Sequence, residues 1–331
     1  MQRAGNKPQA ASRRAAMSTL AAHLDSLIIR NPSSYQGLTV FPVCLVAGEF
    51  EKSGEEFHTL EDGLASGAVQ VRETGSMDRV EIHNRDGRRA VALDGETLVG
   101  GAQNRMLTAG VVAPPGGSCE APASCVEVRR WDVKPGDEEI PPEKQQFARS
   151  DTAFGALKRL KMKESLRSLR ADRLMEVDQK KVWQTIVDSF GVCGTGSKTL
   201  DLHELYEFWE SPLRIFSTRF TVLPGQVGMI CFTDCDTWFA DFFVNNDLLF
   251  RNHRKLVRAC AFDALVRLEK GLKPPSKKVS IKDARTVFRS LKSARLHQVK
   301  NRRGEMSHTH FFHTARLCGT VLIDKQKDGD R

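Results

Sequence analysis

The residues best suited to chemistry lie between Leu93 and Trp131, in the stretch LDGETLVGGAQNRMLTAGVVAPPGGSCEAPASCVEVRRW. Asp94 and Glu96 flank Gly95, and on an extended chain two carboxylates two residues apart face the same side. Gln103, Asn104 and Arg105 are consecutive, which breaks the apolar–polar alternation of a half-buried strand; such breaks mark functional or strained positions. Ser124, Cys125, Glu127, Arg130 and Trp131 complete the set. One reading is an ion-pair network that fixes strand register, with Arg105 paired to Glu96 or Glu127. A second is a pocket for a small polar or anionic ligand, lined by Asp94, Gln103, Asn104, Ser124, Arg130 and Trp131, whose amide and guanidinium groups give directional donors. A third is a hydrolytic site: Glu96 or Glu127 as general base, Arg105 as anion stabiliser and Cys125 as nucleophile. Against the third, a neighbouring carboxylate raises a thiol pKa where catalysis wants it lowered. His83 would also have to approach Cys125 through space, because no histidine is adjacent in sequence.

Other motifs carry less. GVCGTGSKT (191–199) resembles a phosphate loop, but Ser197 separates Gly196 from Lys198, and a P-loop needs glycine directly before its lysine. The segment also follows a helical pattern, so Gly191 or Gly194 reads as a helix stop. His308, His310 and His313 form HxHxxH, where a strand would turn His313 away from the other two. Cys231 and Cys235 lack the second pair that a zinc site needs. No metal and no cofactor is expected.

The elements that must position these residues change character midway. LTVFPVCLV (38–46) reads as a strand, and Thr59 as the N-cap of a short helix with Glu61 and Asp62 in its first turn and Gly67 as its stop. Residues 68–73, 79–84, 89–96, 106–113 and 118–128 read as short strands separated by turn residues, which predicts an antiparallel sandwich or partial barrel. Residues 134–152 read as a polar linker. Beyond it, 153–190 reads as helix with a basic front that includes Lys158, Arg159, Lys161 and Lys163. A helix over 202–209, a hairpin from 214–224 and 227–232, mostly helix over 236–268 and a strand at 318–324 follow. The basic stretch 272–304 reads as an exposed insertion. The predicted fold class is α+β: a β-rich half over 23–133, and a helix-rich half over 153–325.

A net charge of +9 invites an acidic partner, yet basic residues alternating with acids are usually a solvated helix face. No aromatic residues interleave with them as stacking platforms, so a nucleic-acid partner is not favoured. No apolar run reaches the length of a membrane span. Eight scattered cysteines in a chain of 331 residues fit reduced thiols and a cytoplasmic protein. Residues 1–22, basic and without acids, read as a disordered tail or an organelle-targeting extension.

YQGLTVFPV (35–43), TLEDGLASGAVQVRE (59–73), LDGETLVGGAQNRML (93–107) and SCVEVRRW (124–131) resemble the ARG and rhodanese-phosphatase-superfamily-associated protein domain, where ARG denotes ADP-ribosylglycohydrolase. The likeness continues more weakly through KKVWQTIVDSF (180–190), PGQVGMICF (224–232) and RACAFDAL (258–265). Its central pattern is close to DGE-x-LVGAKQNR followed by SCVE-x-GRW. Here Ala102 stands where the family commonly has lysine, and Arg129 where it has glycine. The resemblance implies a ligand-binding or accessory role near ADP-ribose or NAD-derived metabolites. A hydrolase of such a metabolite and a basic RNA-associated protein are the alternatives. The positions it carries over are Asp94, Gly95, Glu96, Gln103, Asn104, Arg105, Ser124, Cys125, Glu127, Arg130 and Trp131, the set already singled out by pattern.

Overall fold

The computed structural model describes residues 24–46, 57–130, 146–170, 177–233, 238–272, 278–292, 296–300, 306–313 and 317–322. The chain opens with β1 (Leu27–Ile29), β2 (Ser33–Tyr35) and β3 (Leu38–Leu45). Gln36 and Gly37 both take positive φ between β2 and β3, as a two-residue primed hairpin turn requires. β4 (Phe57–Thr59) runs into α1 (Leu60–Ser66). Thr59 caps this helix by accepting from the Asp62 N–H at 3.1 Å, and Gly67 ends it at φ 73°.

Eight strands follow: β5 (Val69–Glu73), β6 (Arg79–Asn84), β7 (Arg89–Ala92), β8 (Glu96–Gly100), β9 (Arg105–Leu107), β10 (Val111–Ala113), β11 (Ser118–Cys125) and β12 (Gln146–Thr152). Six of them close into a barrel in the order β11-β6-β5-β12-β8-β9, while β10-β7-β4 form a small separate sheet. Alternation puts Val69, Val71, Val80, Ile82, Leu98 and Phe147 into one buried cluster within the barrel. The β-rich half is therefore centred on a closed antiparallel barrel, with β4, β7 and β10 in the small sheet beside it. Residues 146–152, assigned to a linker from sequence, are instead the strand that bridges β5 and β8. The expected strands 89–96 and 106–113 each break in two, because the chain crosses between the small sheet and the barrel at the Asp94-Gly95 turn and again after Leu107.

The second half supplies α2 (Gly155–Arg170), α3 (Gln179–Cys193), α4 (Leu202–Phe208), α5 (Glu210–Arg219), β13 (Gln226–Phe232), β14 (Trp238–Phe242), α6 (Asn246–Glu269), α7 (Ile281–Lys292), β15 (Leu296–Lys300), β16 (Met306–His313) and β17 (Leu317–Leu322). The helices thus lie mostly in this half, and the class is α+β. A large sheet runs β1-β3-β13-β14-β17-β16-β15, with β2 beside β3. Val40, Met229 and Phe239 on one face pack toward α6 through Leu256, Cys260 and Phe262. Phe41, Ile230 and Phe242 on the other face pack with Ala284, Phe288 and Leu291 of α7.

Three expectations are corrected here. Residues 214–219 belong to α5 and form no hairpin; β13 pairs with β3 and β14 instead. Residues 238–242 are a strand, so the helix after them starts only at Asn246. The basic stretch 272–304 is not simply an exposed insertion, because α7 buries one apolar stripe and β15 extends the sheet. α3 ends at Gly194 with φ 62°, the left-handed helix stop that the sequence suggests at Gly191 or Gly194.

Candidate functional site

The DGE turn is built by a glycine and two lysines that the sequence reading placed elsewhere or passed over. Gly95 takes φ +75°, and a Cβ there would lie 2.9 Å from Lys158 Cγ, so only glycine fits this crossing of turn and helix. Asp94 forms an ion pair with Lys161 of α2, and both side chains are buried. Glu96 Oε1 sits 2.6 Å from Lys255 Nζ of α6 and accepts from the Ser150 hydroxyl at 2.8 Å. Its other oxygen accepts from the Leu93 N–H at 2.7 Å. Lys255 also reaches Glu61 at 3.0 Å. Burial works against the Lys255 ammonium, but Glu96 and Glu61 outweigh it and hold its pKa above the usual lysine value. Lys158 lies 3.5 Å from Asp241, which accepts from Thr320 at 2.7 Å. Lys158 and Lys161, expected on a solvated basic face, are thus buried against acids from other elements.

A second group closes one end of the barrel. Arg105 is opposite Cys125 across β9 and β11 and opposite Leu98 across β8 and β9, so its side chain shares the interior side. Its Nη1 donates to Cys125 Sγ, and its Nη2 lies 3.4 Å from Glu73 Oε1 at the end of β5. Arg105 pairs with Glu73, not with Glu96 or Glu127 as expected. The expectation paired the residues nearest in sequence, whereas barrel closure brings β5 to the same end. Burial pushes the Glu73 carboxyl above its usual range against the pull of Arg105. The Ala102 N–H donates to Glu73 at 3.2 Å.

The remaining motif residues stitch the strand ends to the helices. The Cys125 thiol donates to Gln103 Oε1 at 3.1 Å, and the Gln103 amide donates to the Arg130 carbonyl. Asn104 accepts from the Gly100 N–H at 2.8 Å and donates to Asp201 at 3.0 Å. Glu127 accepts from Arg130 Nε at 2.7 Å and from the Asn104 N–H at 3.3 Å. Asp201, the N-cap of α4, is pushed up by burial. Gln179, the first residue of α3, accepts from the Ser124 hydroxyl and the Cys125 N–H and donates to the Cys125 carbonyl at 2.8 Å.

Sequence reasoning therefore found Asp94, Glu96, Gln103, Asn104, Arg105, Ser124, Cys125, Glu127 and Arg130, but split between two groups. It missed Glu73, Lys161, Gln179, Asp201 and Lys255. A usable signal existed for the lysines: Lys161 follows buried Leu157 by four residues, and Lys255 follows buried Leu248 by seven and precedes buried Ala259 by four. Charged residues inside an apolar helical stripe are buried against partners. Trp131 and Cys235 lie outside the described residues, as do residues 1–22. His308, His310 and His313 fall on β16, whose side chains are likewise outside them. Among the described residues no group of three His, Cys, Asp or Glu side chains could hold a metal ion.

Burial pushes the Cys125 thiol up; Arg105 opposes that, while Glu73 and Glu127 reinforce it. A thiol so placed is a poor nucleophile at neutral pH. Cys125 is accordingly expected to resist iodoacetamide in the native protein and to react only under denaturing conditions. Peptide mass spectrometry checks this, and rapid native labelling of Cys125 would reverse the conclusion.

Among the described residues no helix is long and apolar enough to cross a membrane. No curated protein and no solved structure matches the chain. The family model of the ARG and Rhodanese-Phosphatase-superfamily-associated Protein domain matches residues 26–326, taking in the barrel, the large sheet and the helices that carry both polar groups, and the chain belongs to that family.

Proposed function

We propose that this chain is a cytoplasmic ligand-binding or accessory domain for a small anionic metabolite of the ADP-ribose or NAD-derived class. The observation that carries the reading is internal charge pairing. Asp94 is matched by Lys161, Glu96 by Lys255, Glu73 by Arg105 and Glu127 by Arg130. The first two pairs tie the DGE turn to α2 and α6, and the last two lie within the β-rich half; charges committed in this way hold a scaffold together and are not poised for turnover. The family name links the domain to ARG and rhodanese-phosphatase-superfamily proteins, which supports the metabolite class by association. At the barrel end, the partly exposed Arg130 beside Gln103 and Asn104 offers donors to an anion. The free thiols of Cys44, Cys119, Cys125, Cys193, Cys231 and Cys260 support a reducing compartment.

The hydrolase reading has one observation in its favour. Glu73 and Asp201, both pushed up by burial, are carboxyls of the kind that serves as a general acid. The RNA reading loses support, because burial of Lys158 and Lys161 removes two charges from the basic face it relied on. Thermal melting with ADP-ribose, NAD and nucleotides, paired with chromatography of the recovered ligand, tests the choice. ADP-ribose at about a hundred times its Kd is expected to stabilise by about 2.7 kcal/mol and to be recovered unchanged. Cleavage of the ligand would establish the hydrolase; no shift with any of them would remove the binding reading.

A further inference from the structure

The surplus positive charge of the chain sits in one stretch. Residues 272–304 hold eleven Lys and Arg against a single acid, Asp283, while the rest of the chain holds thirty-nine against forty. We propose that the outer face of α7, within this stretch, docks the phosphate backbone of duplex RNA through Lys278, Lys282, Arg285 and Arg289. The inference goes beyond the metabolite reading and does not rest on it. Its surface also differs from the α2 front on which the RNA alternative relied.

Three observations carry it. The first is geometric. Ala284, Phe288 and Leu291 turn one stripe of α7 into the large sheet. Lys282, Arg285 and Arg289 are exposed and recur at three- and four-residue spacing, so they share a ridge away from that stripe. Lys278, also exposed, stands just before the helix, four residues from Lys282. The ridge from Lys282 to Arg289 runs about 10 Å along the helix.

The second is the lack of matching acids. None of the four side chains forms an ion pair among the described residues. Asp283, the one acid of α7, is engaged by the Ser280 N–H at 2.8 Å and the Ser280 hydroxyl at 2.7 Å. Exposed cations on other helices are matched: Lys181 meets Glu164 at 3.1 Å, Arg251 meets Asp247 at 2.9 Å and Arg254 meets Glu210 at 3.7 Å. A solvated helix face alternates the two signs. This one does not.

The third is that the array weakens its own helix. Like charges three and four residues apart are destabilising. Lys282 also stands in the first turn, where the helix dipole disfavours a cation. Stability given up at a surface in this way marks a surface kept for a partner, here a polyanion.

The chemistry of the ridge selects that partner. Among the described residues, α7 exposes no large apolar or aromatic side chain. Firm docking on a lipid surface needs an apolar anchor beside the basic one, and unstacked single strands need aromatic platforms. Cations alone suit the sequence-independent phosphate contacts by which duplex RNA is mostly recognised. In the cytoplasm proposed above, the duplex met is RNA.

Binding of the full chain to an RNA duplex of about 20 base pairs, the matched DNA duplex and single-stranded RNA, read by fluorescence anisotropy, tests the assignment. Co-sedimentation with phosphatidylserine vesicles adds the lipid arm. Duplex RNA is expected to bind tightest, with affinity falling as salt rises. Lys282→Gln, Arg285→Gln and Arg289→Gln are each expected to weaken it about tenfold at about 0.1 M salt and to lower the log–log salt slope by about one. Each variant should melt at or above the parent, because repulsion along the helix is relieved. Lys180→Gln, exposed on α3, should leave RNA binding unchanged. Equal or tighter binding of the DNA duplex, the single strand or the vesicles would overturn the choice of partner. No binding of duplex RNA at about 0.1 M salt, or unchanged affinity and slope in all three α7 variants, would overturn the surface.

Discussion

Replacing Lys161 with methionine is expected to destabilise the protein by about 3–5 kcal/mol, the usual cost of stranding a buried charge. Methionine keeps most of the aliphatic volume, so the loss isolates the charge. The Lys161 side chain is 0% exposed and that of its partner Asp94 only 3%, so water cannot replace the missing ammonium at Asp94. Chemical denaturation measures the effect as a shift of midpoint at unchanged slope. Lys163→Met, two residues along the same helix but exposed, is the control and should fall within about 0.5 kcal/mol of the parent. Adding Asp94→Asn to Lys161→Met should recover much of the loss, because the stranded charge is then gone. Three results would remove the pair as the tie between the DGE turn and α2: parental stability of Lys161→Met, equal effects at the two lysines, or no recovery in the double variant.

This prediction turns on a feature that pattern reading misassigned, and the reason is physical. Local signals were legible where the chain decides its own conformation. Thr59 and Gly67 bound α1 as expected, β3 forms on its continuous apolar run, and β5 and β6 follow apolar alternation. Where tertiary contacts decide, sequence was a weaker guide. Arg214 to Thr221 is rich in aromatic and β-branched residues and looks like a strand, yet Leu213 and Phe216 bury one helical stripe. Pro212 in the first turn of α5 was the overlooked start signal. β12 has a polar composition because only Phe147, Ser150 and Thr152 of its seven residues are fully buried. In α7 the apolar stripe is short, only Ala284, Phe288 and Leu291 spaced four and three residues apart, and it is interrupted by charged residues on the other faces. The motif itself was visible because it violates strand alternation. Its partners Glu73, Lys161 and Lys255 were not, because each arrives from an element remote in sequence.

Arg105→Ala is expected to cost about 3–5 kcal/mol at neutral pH, and the cost should depend on pH in a direction set by Glu73. The Glu73 side chain is 2% exposed, and its pKa is raised above the ordinary 4.5 by burial, with Arg105 as the largest opposing influence. The native state therefore holds this proton more tightly than the unfolded chain. Linkage then makes the Glu73 contribution flat below about 4.5 and falling as pH rises toward the native pKa. Without Arg105 the native pKa climbs further, so the decline extends to higher pH. The penalty of Arg105→Ala should be large at neutral and alkaline pH and shrink as pH approaches 4.5, where Glu73 enters the native state neutral. Glu73→Gln in the same chain should restore most of the stability and remove the added pH dependence. Urea midpoints across pH for the parent, Arg105→Ala and the double variant give the measurement. A ligand-anchoring Arg105 would behave differently: its removal would cost the apo protein little and abolish stabilisation by ADP-ribose instead. A pH-independent penalty, or a double variant no better than Arg105→Ala, would mean that the Glu73 pairing does not govern the barrel end.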